Sequence, residues 1–222
     1  MKRISTLAAV IVFAVVLLTP AVADAAPNGP GASGWKLGNY NPSGMAVSMA
    51  QVAPVAGGLA TFNFTNQPNT ALLLNTQGNS PFLGNDVGKT ISATFTISGA
   101  VGAFTAYPDQ CYPNGLPPNV RLFFETSYSA GGFAYSDYWW ADDAWVMLAN
   151  GTFTISAKVN PTTANWSDWG GETSAANAAR FTSAASNVTG IGLSFGGYCH
   201  YESGVGTTDG TGALALNSFS VS

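Results

Sequence analysis

Five stretches of this chain alternate apolar and polar side chains with a period of two, and only a strand with one buried face satisfies that period. In ATFNFTN, Phe62 and Phe64 face one way while Thr61, Asn63 and Thr65 face the other. TISATFTIS sets Ile91, Ala93, Phe95 and Ile97 against Ser92, Thr94 and Thr96. NVRLFFET sets Val120, Leu122 and Phe124 against Arg121, Phe123 and Glu125. In TFTISAKV, Phe153, Ile155, Ala157 and Val159 oppose Thr154, Ser156 and Lys158. TGIGLSFGG places Ile191, Leu193 and Phe195 opposite Gly192, Ser194 and Gly196, a side almost bare of side chains. Glycine inside a strand costs stability, and it marks a close approach to the backbone or a bulky neighbour lying across it. A sixth stretch, ALALNSFSV, changes parity between Leu216 and Phe219, as a bulge requires.

Turn-forming clusters (QPN, GNSP, YPNGLPPN, GTTDGTG) separate these runs, and the spacing fits an all-β, antiparallel two-sheet β-sandwich of the jelly-roll kind. Only residues 173–186, TSAANAARFTSAAS, have helical content. Thr173 or Ser174 is placed to cap one short helix there.

The N-terminus reads as a signal peptide. Lys2 and Arg3 precede an unbroken apolar run of twelve residues, Leu7 to Leu18, which is too short to span a bilayer. Pro20 breaks the run, and cleavage fits after Ala23 or Ala25, with the A-x-A form favouring Ala25. The expected organisation is a signal peptide over 1–25, a flexible leader over 26–34 and one β-sandwich domain over 35–222. The protein is expected outside the cytoplasm, extracellular or periplasmic, with no membrane anchor. Cys111 and Cys199, an even count for an oxidising compartment, are expected to form a disulfide.

Charged residues are 8% of the chain, far below the roughly 25% of an average soluble protein. After cleavage five of the seven cations and ten of the eleven acids remain, a net charge of −5. That excludes a nucleic-acid partner, whose phosphates demand clustered Lys and Arg.

Two aromatic stretches carry the functional signal. Residues 135–145 read YSDYWWADDAW and residues 165–171 read NWSDWGG. On a strand, Tyr138 and Trp140 share one face while Asp137 and Trp139 share the other. A sandwich strand has one inner face, so the adjacent tryptophans must split. The sequence leaves open which goes inside, although Asp137 on the other face favours Tyr138 and Trp140. Trp166 and Trp169 lie between Pro161 and Gly170-Gly171, the setting of a loop. Such rings either fill and cap the core or present a flat surface. A pyranose offers its C–H face to an indole and its hydroxyls to carboxylates, which Asp137, Asp142, Asp143 and Asp168 supply here. The expected carbohydrate-binding set, with at least some rings exposed, is Asp137, Tyr138, Trp139, Trp140, Trp166, Asp168 and Trp169.

The strand order, the aromatic-plus-Asp loops and the closing strand after GVGTTDGTG resemble the jelly-roll β-sandwiches of bacterial carbohydrate-binding modules, the galactose-binding-like class, over most of residues 59–222. The resemblance implies a polysaccharide or surface-glycan partner. It also implies a structural calcium near the first and last strands, for which Asp86 and Asp209 are the acids available. Calcium needs six or more oxygens, which no ligand-spaced run supplies, so no metal or other cofactor is expected.

Catalytic signatures are few. His200, the single histidine, adjoins Cys199, and no G-x-S-x-G accompanies it. A glycosidase needs only two carboxylates roughly 5 to 10 Å apart, and Glu125, Glu172 and Glu202 are the glutamates available. Glu125 shares a strand face with Arg121, which reads as an ion pair at a sheet edge. The expectation is therefore a sugar-binding protein without hydrolase activity. The alternatives are a small secreted glycoside hydrolase and a structural or adhesive exoprotein.

Overall fold

The computed structural model describes residues 34–41, 46–51, 59–76, 78, 80–126 and 138–222. The expected signal peptide, residues 26–33 of the leader and Asp137 lie outside them. The described elements are β1 (Trp35–Asn41), β2 (Ala46–Gln51), β3 (Ala60–Asn63), β4 (Thr70–Asn75), β5 (Thr90–Ser98), β6 (Phe104–Ala106) and β7 (Leu116–Glu125). They continue with β8 (Tyr138–Met147), β9 (Gly151–Lys158), β10 (Trp166–Asp168), α1 (Ala178–Ala185), β11 (Gly190–Tyr198), β12 (Val205–Thr207) and β13 (Ala213–Val221).

Two antiparallel sheets pack face to face with one short helix, so the protein is an all-β sandwich. Among the described residues the larger sheet has nine strands, in the order β10-β8-β7-β11-β4-β1-β2, with β12 paired to β4 and β6 paired to β12. The smaller runs β3-β13-β5-β9. Its strands follow the period-two pattern: Ile91, Ala93, Phe95 and Ile97 of β5 are buried and the intervening residues are not. The parity change in β13 is a register shift between Leu216 and Ser218, which returns Phe219 to the core side. Edge-on ring contacts join the sheets: Phe62 to Phe195 at 5.6 Å and Trp35 to Phe219 at 5.2 Å.

Helix α1 closes one end of the core by inserting Phe181 against Trp139 at 4.9 Å and Phe124 at 5.6 Å. It starts later than its composition predicts. Asn177 precedes it and makes no side-chain cap bond. Of the expected cap residues, Thr173 caps the turn that leads into the helix, its hydroxyl accepting the Ala176 N–H at 3.2 Å, and also bridges to Ser167, whereas the Ser174 hydroxyl donates to the Thr163 carbonyl. Residues 173 and 174 thus complete the backbone bonding of β10.

Cys111 and Cys199 are bridged with their Cα atoms 5.5 Å apart, tying the β6–β7 connection to the turn after β11. Among the described residues no helix is long and apolar enough to cross a membrane.

Candidate functional site

The adjacent tryptophans split between faces, as strand parity demands. Trp139 lies opposite Phe124 and joins the core between the sheets, while Trp140 lies opposite Phe123 on the outer face of the larger sheet. This reverses the assignment that Asp137 favoured. The rings of Phe181 and Trp166 surround Trp139 and Phe124, so that side is the one the helix covers. Neighbouring strands obey the same split. Leu73 points into the sandwich, whereas Leu72 and Leu74 join Phe123, Tyr138 and Trp140 in a second apolar cluster on the outer face.

Exposure is the point on which the sequence reading needs correction. Trp139 and Trp166 are 0% exposed and Trp140 is 1% exposed, so none of the three offers an open ring. Trp166 also belongs to a strand rather than a loop; its indole nitrogen donates to the Lys158 carbonyl at 2.8 Å. Asp168 sits opposite Trp139, not with Trp140. It is buried and spends Oδ1 on the Glu172 backbone N–H at 2.9 Å, which holds the turn in place. Of the expected set, Tyr138, Trp140 and Trp169 come together, and Tyr138 stacks on Trp140 at 6.0 Å.

Trp169 is half-buried at the rim of this cluster, 5.7 Å from Trp140. Its other neighbour is His200, stacked at 5.7 Å with the planes 10° apart. Tyr201, also half-buried, meets Trp140 edge-on at 6.1 Å. Sequence reasoning passed over Tyr201. The signal lay in the bare side of β11. Trp140 Nε1 donates to the Ser194 hydroxyl at 3.1 Å, and that hydroxyl donates to the Tyr201 carbonyl. A Cβ at Gly196 would collide with the His200 carbonyl. Missing side chains thus let the 198–203 turn fold back onto its own strand.

That turn is fixed from below. Asp109 accepts the backbone N–H groups of Cys199 and His200, both at 3.1 Å, and that of Cys111 at 2.7 Å. With the disulfide, these bonds hold Tyr201 and Glu202 over the sheet. Asp109, Cys111 and Cys199 are close enough for a metal, but the bridged sulfurs are not thiolates.

Charge is buried on the same face. The Arg121 guanidinium is 1% exposed and lies 3.6 Å over the Tyr201 ring. It donates to Asn119 Oδ1 and to the Ala141 carbonyl, and stands 3.7 Å from Asp142. Burial pulls its pKa below the ordinary arginine value, while Tyr201 and Asp142 act against that. Burial raises Asp142, against a hydrogen bond from Ser167 and the charge of Arg121. The expected edge location fails, because β7 lies between β8 and β11. Glu125, 0% exposed, stands opposite Tyr138 and Gly190, and a Cβ at Gly190 would collide with its carboxylate. Glu202 is 2% exposed. Burial first, and the charge of Glu125 second, hold it well above the usual carboxylate range.

The calcium candidates have local partners: Asp86 pairs with Lys89 at 3.1 Å, and Asp209 accepts the Thr211 hydroxyl at 2.7 Å. Compared with known proteins, the chain matches no family model and no curated protein.

Proposed function

We propose that this is an exported carbohydrate-binding protein whose sugar site lies on the outer face of the larger sheet, where Trp169 and Tyr201 flank Trp140. One observation carries the reading. A sandwich sheet needs one apolar face, yet this one carries a second aromatic cluster on its other face, rimmed by half-buried rings and floored by charge. Sugar sites combine such apolar walls with a few fixed polar groups. The partly exposed rings of Trp169 and Tyr201 stack on the C–H face of a pyranose, and the buried Arg121 beneath Tyr201 fixes that ring in place. The N-terminal apolar run and the Cys111–Cys199 bridge support export.

Retention on immobilised plant and microbial polysaccharides tests this. Wild type should be retained on at least one. Trp169→Ala and Tyr201→Ala should each weaken retention at least tenfold while the melting temperature stays within a few degrees, since rim rings carry little of the core's burial. Undiminished retention in both variants would remove the site from this face.

A further inference from the structure

We propose that the Cys111–Cys199 bridge is a redox switch for this face: oxidation assembles the sugar-binding rim, and the reduced chain folds as a sandwich that holds no glycan. This regulation rests on the binding reading above. The bridge stands apart from the core. Neither cysteine belongs to either apolar cluster, and both are half-buried, with four exposed residues, Tyr112 to Gly115, following the first. A small thiol or disulfide therefore reaches the sulfurs without opening the sandwich. The core itself is closed by contacts such as Phe62 to Phe195 and Trp139 to Phe181, none of which involves the bridge.

What the bridge holds is the 198–203 turn. One sulfur sits in the β6–β7 connection and the other at the start of the turn, 88 residues later. Tyr198, beside Cys199, has φ 59°, in the left-handed region. A bulky side chain keeps that conformation only where its surroundings impose it. Here they do: Tyr112, beside the other cysteine, meets the Tyr198 ring edge-on at 5.2 Å, and the bare Cα of Gly115 lies against the Tyr198 backbone. Asp109 adds its bonds to the Cys199 and His200 N–H groups, which last only while the two segments stay side by side. The next two residues carry the rings, His200 stacked on Trp169 and Tyr201 against Trp140 and Arg121. Four consecutive residues thus combine a strained backbone, a lock and two rings of the site. Opening the lock lets Tyr198 relax, and the rings leave with it.

The exchange balances with a disulfide oxidant. The two thiols lose two protons and two electrons as their sulfurs join, and one disulfide of the oxidant becomes two thiols. A dithiol reductant runs the same exchange backwards. Thiols stay reduced in the cytoplasm and pair outside it, so the face becomes competent only where its glycan is met.

The test compares the oxidised mature protein with the same protein reduced by dithiothreitol, on the polysaccharide that the oxidised form retains. Reduction should weaken retention at least ~10-fold, since the rim rings are lost together. Tryptophan emission should shift to the red as Trp140 loses its cover, while the far-UV circular dichroism stays that of a folded sandwich. Cys111→Ser combined with Cys199→Ser should behave as the reduced protein with or without thiol. If that double variant does not fold, reoxidation of the reduced wild type with oxidised glutathione, restoring retention, takes its place. Full retention by the reduced protein overturns the switch and leaves the binding reading standing. Loss of the far-UV signal on reduction also overturns it, because the bridge would then staple the whole fold. Oxidised protein that retains no polysaccharide sinks both readings.

Discussion

The two sheets turn very different faces away from their shared core. On the smaller sheet, Thr94 meets Thr154 and Thr96 meets Thr152, each pair at 2.9 Å, and Asn217 donates to Thr96 at 2.8 Å. These threonine hydroxyls pair across strands at the surface, so the face is wetted and its paired groups are satisfied. On the larger sheet the corresponding face holds Trp140, Tyr138 and Phe123, a buried arginine and two buried glutamates. Fold stability alone explains the first face. It does not explain the second, because burying charge costs several kcal/mol and apolar residues of similar size would fill the space as well. With so few charged residues in the chain, the concentration of three on one buried face is what most separates the two outer faces.

The sharpest way to break that contrast is to weigh the two adjacent faces of β8. Trp139→Ala removes an indole wedged among Phe181, Phe124 and the core of both sheets, and should cost about 3–5 kcal/mol in denaturant unfolding. Trp169→Ala, at the rim of the other face, should cost less, about 1 kcal/mol, because its ring is only partly buried. If the rim ring proves as costly as the inner one, the outer face is a second core and not a site.

How much of this was legible in the sequence depends on how many faces each strand buries. β5 and β9 bury one, so Phe95 and Ile155 stand out by alternation alone. β4, TALLLN, is buried along its whole length on both faces, and a strand covered on both sides loses its period. The same double burial hid the site. Arg121, Phe123 and Glu125 read as the wet side of β7, when they line a covered one. The split between Trp139 and Trp140 followed from parity. Which ring went inside did not, since it depended on where Phe181 would dock. Tyr201 was invisible because its position comes from Asp109 and a disulfide 88 residues long in sequence, neither of which leaves a local pattern.

A smaller effect with the opposite sign comes from Glu202. Its pKa in the folded protein is raised, so the folded state holds the proton more tightly than the unfolded chain does. That contribution is fully present below the unfolded value of about 4.3, and it is lost as pH rises towards and through the folded pKa. Glu202→Gln removes this loss. Its melting temperature should match wild type near pH 4 and exceed it at pH 7, by about 2–4 °C for each kcal/mol relieved. A buried carboxyl that served only to stabilise would give the reverse, with the variant less stable at every pH.

The smallest expected effect is the control for the whole contrast. Thr154→Val and Thr94→Val each break the 2.9 Å hydroxyl pair on the outer face of the smaller sheet. Threonine and valine have nearly the same shape, and valine suits a strand well, so the lost bond is offset by favourable β-propensity. The partner hydroxyl is at the surface and can turn to water, which leaves no buried group unsatisfied. Each variant should stay within about 0.5 kcal/mol of wild type and bind polysaccharide with unchanged strength. Retention measured beside Trp169→Ala makes the comparison direct, because both substitutions remove side-chain surface from an outer face. Binding lost in the threonine variants and kept in Trp169→Ala would place recognition on the hydroxyl face, where a flat array of paired hydroxyls and not the aromatic cluster would be the ligand's partner.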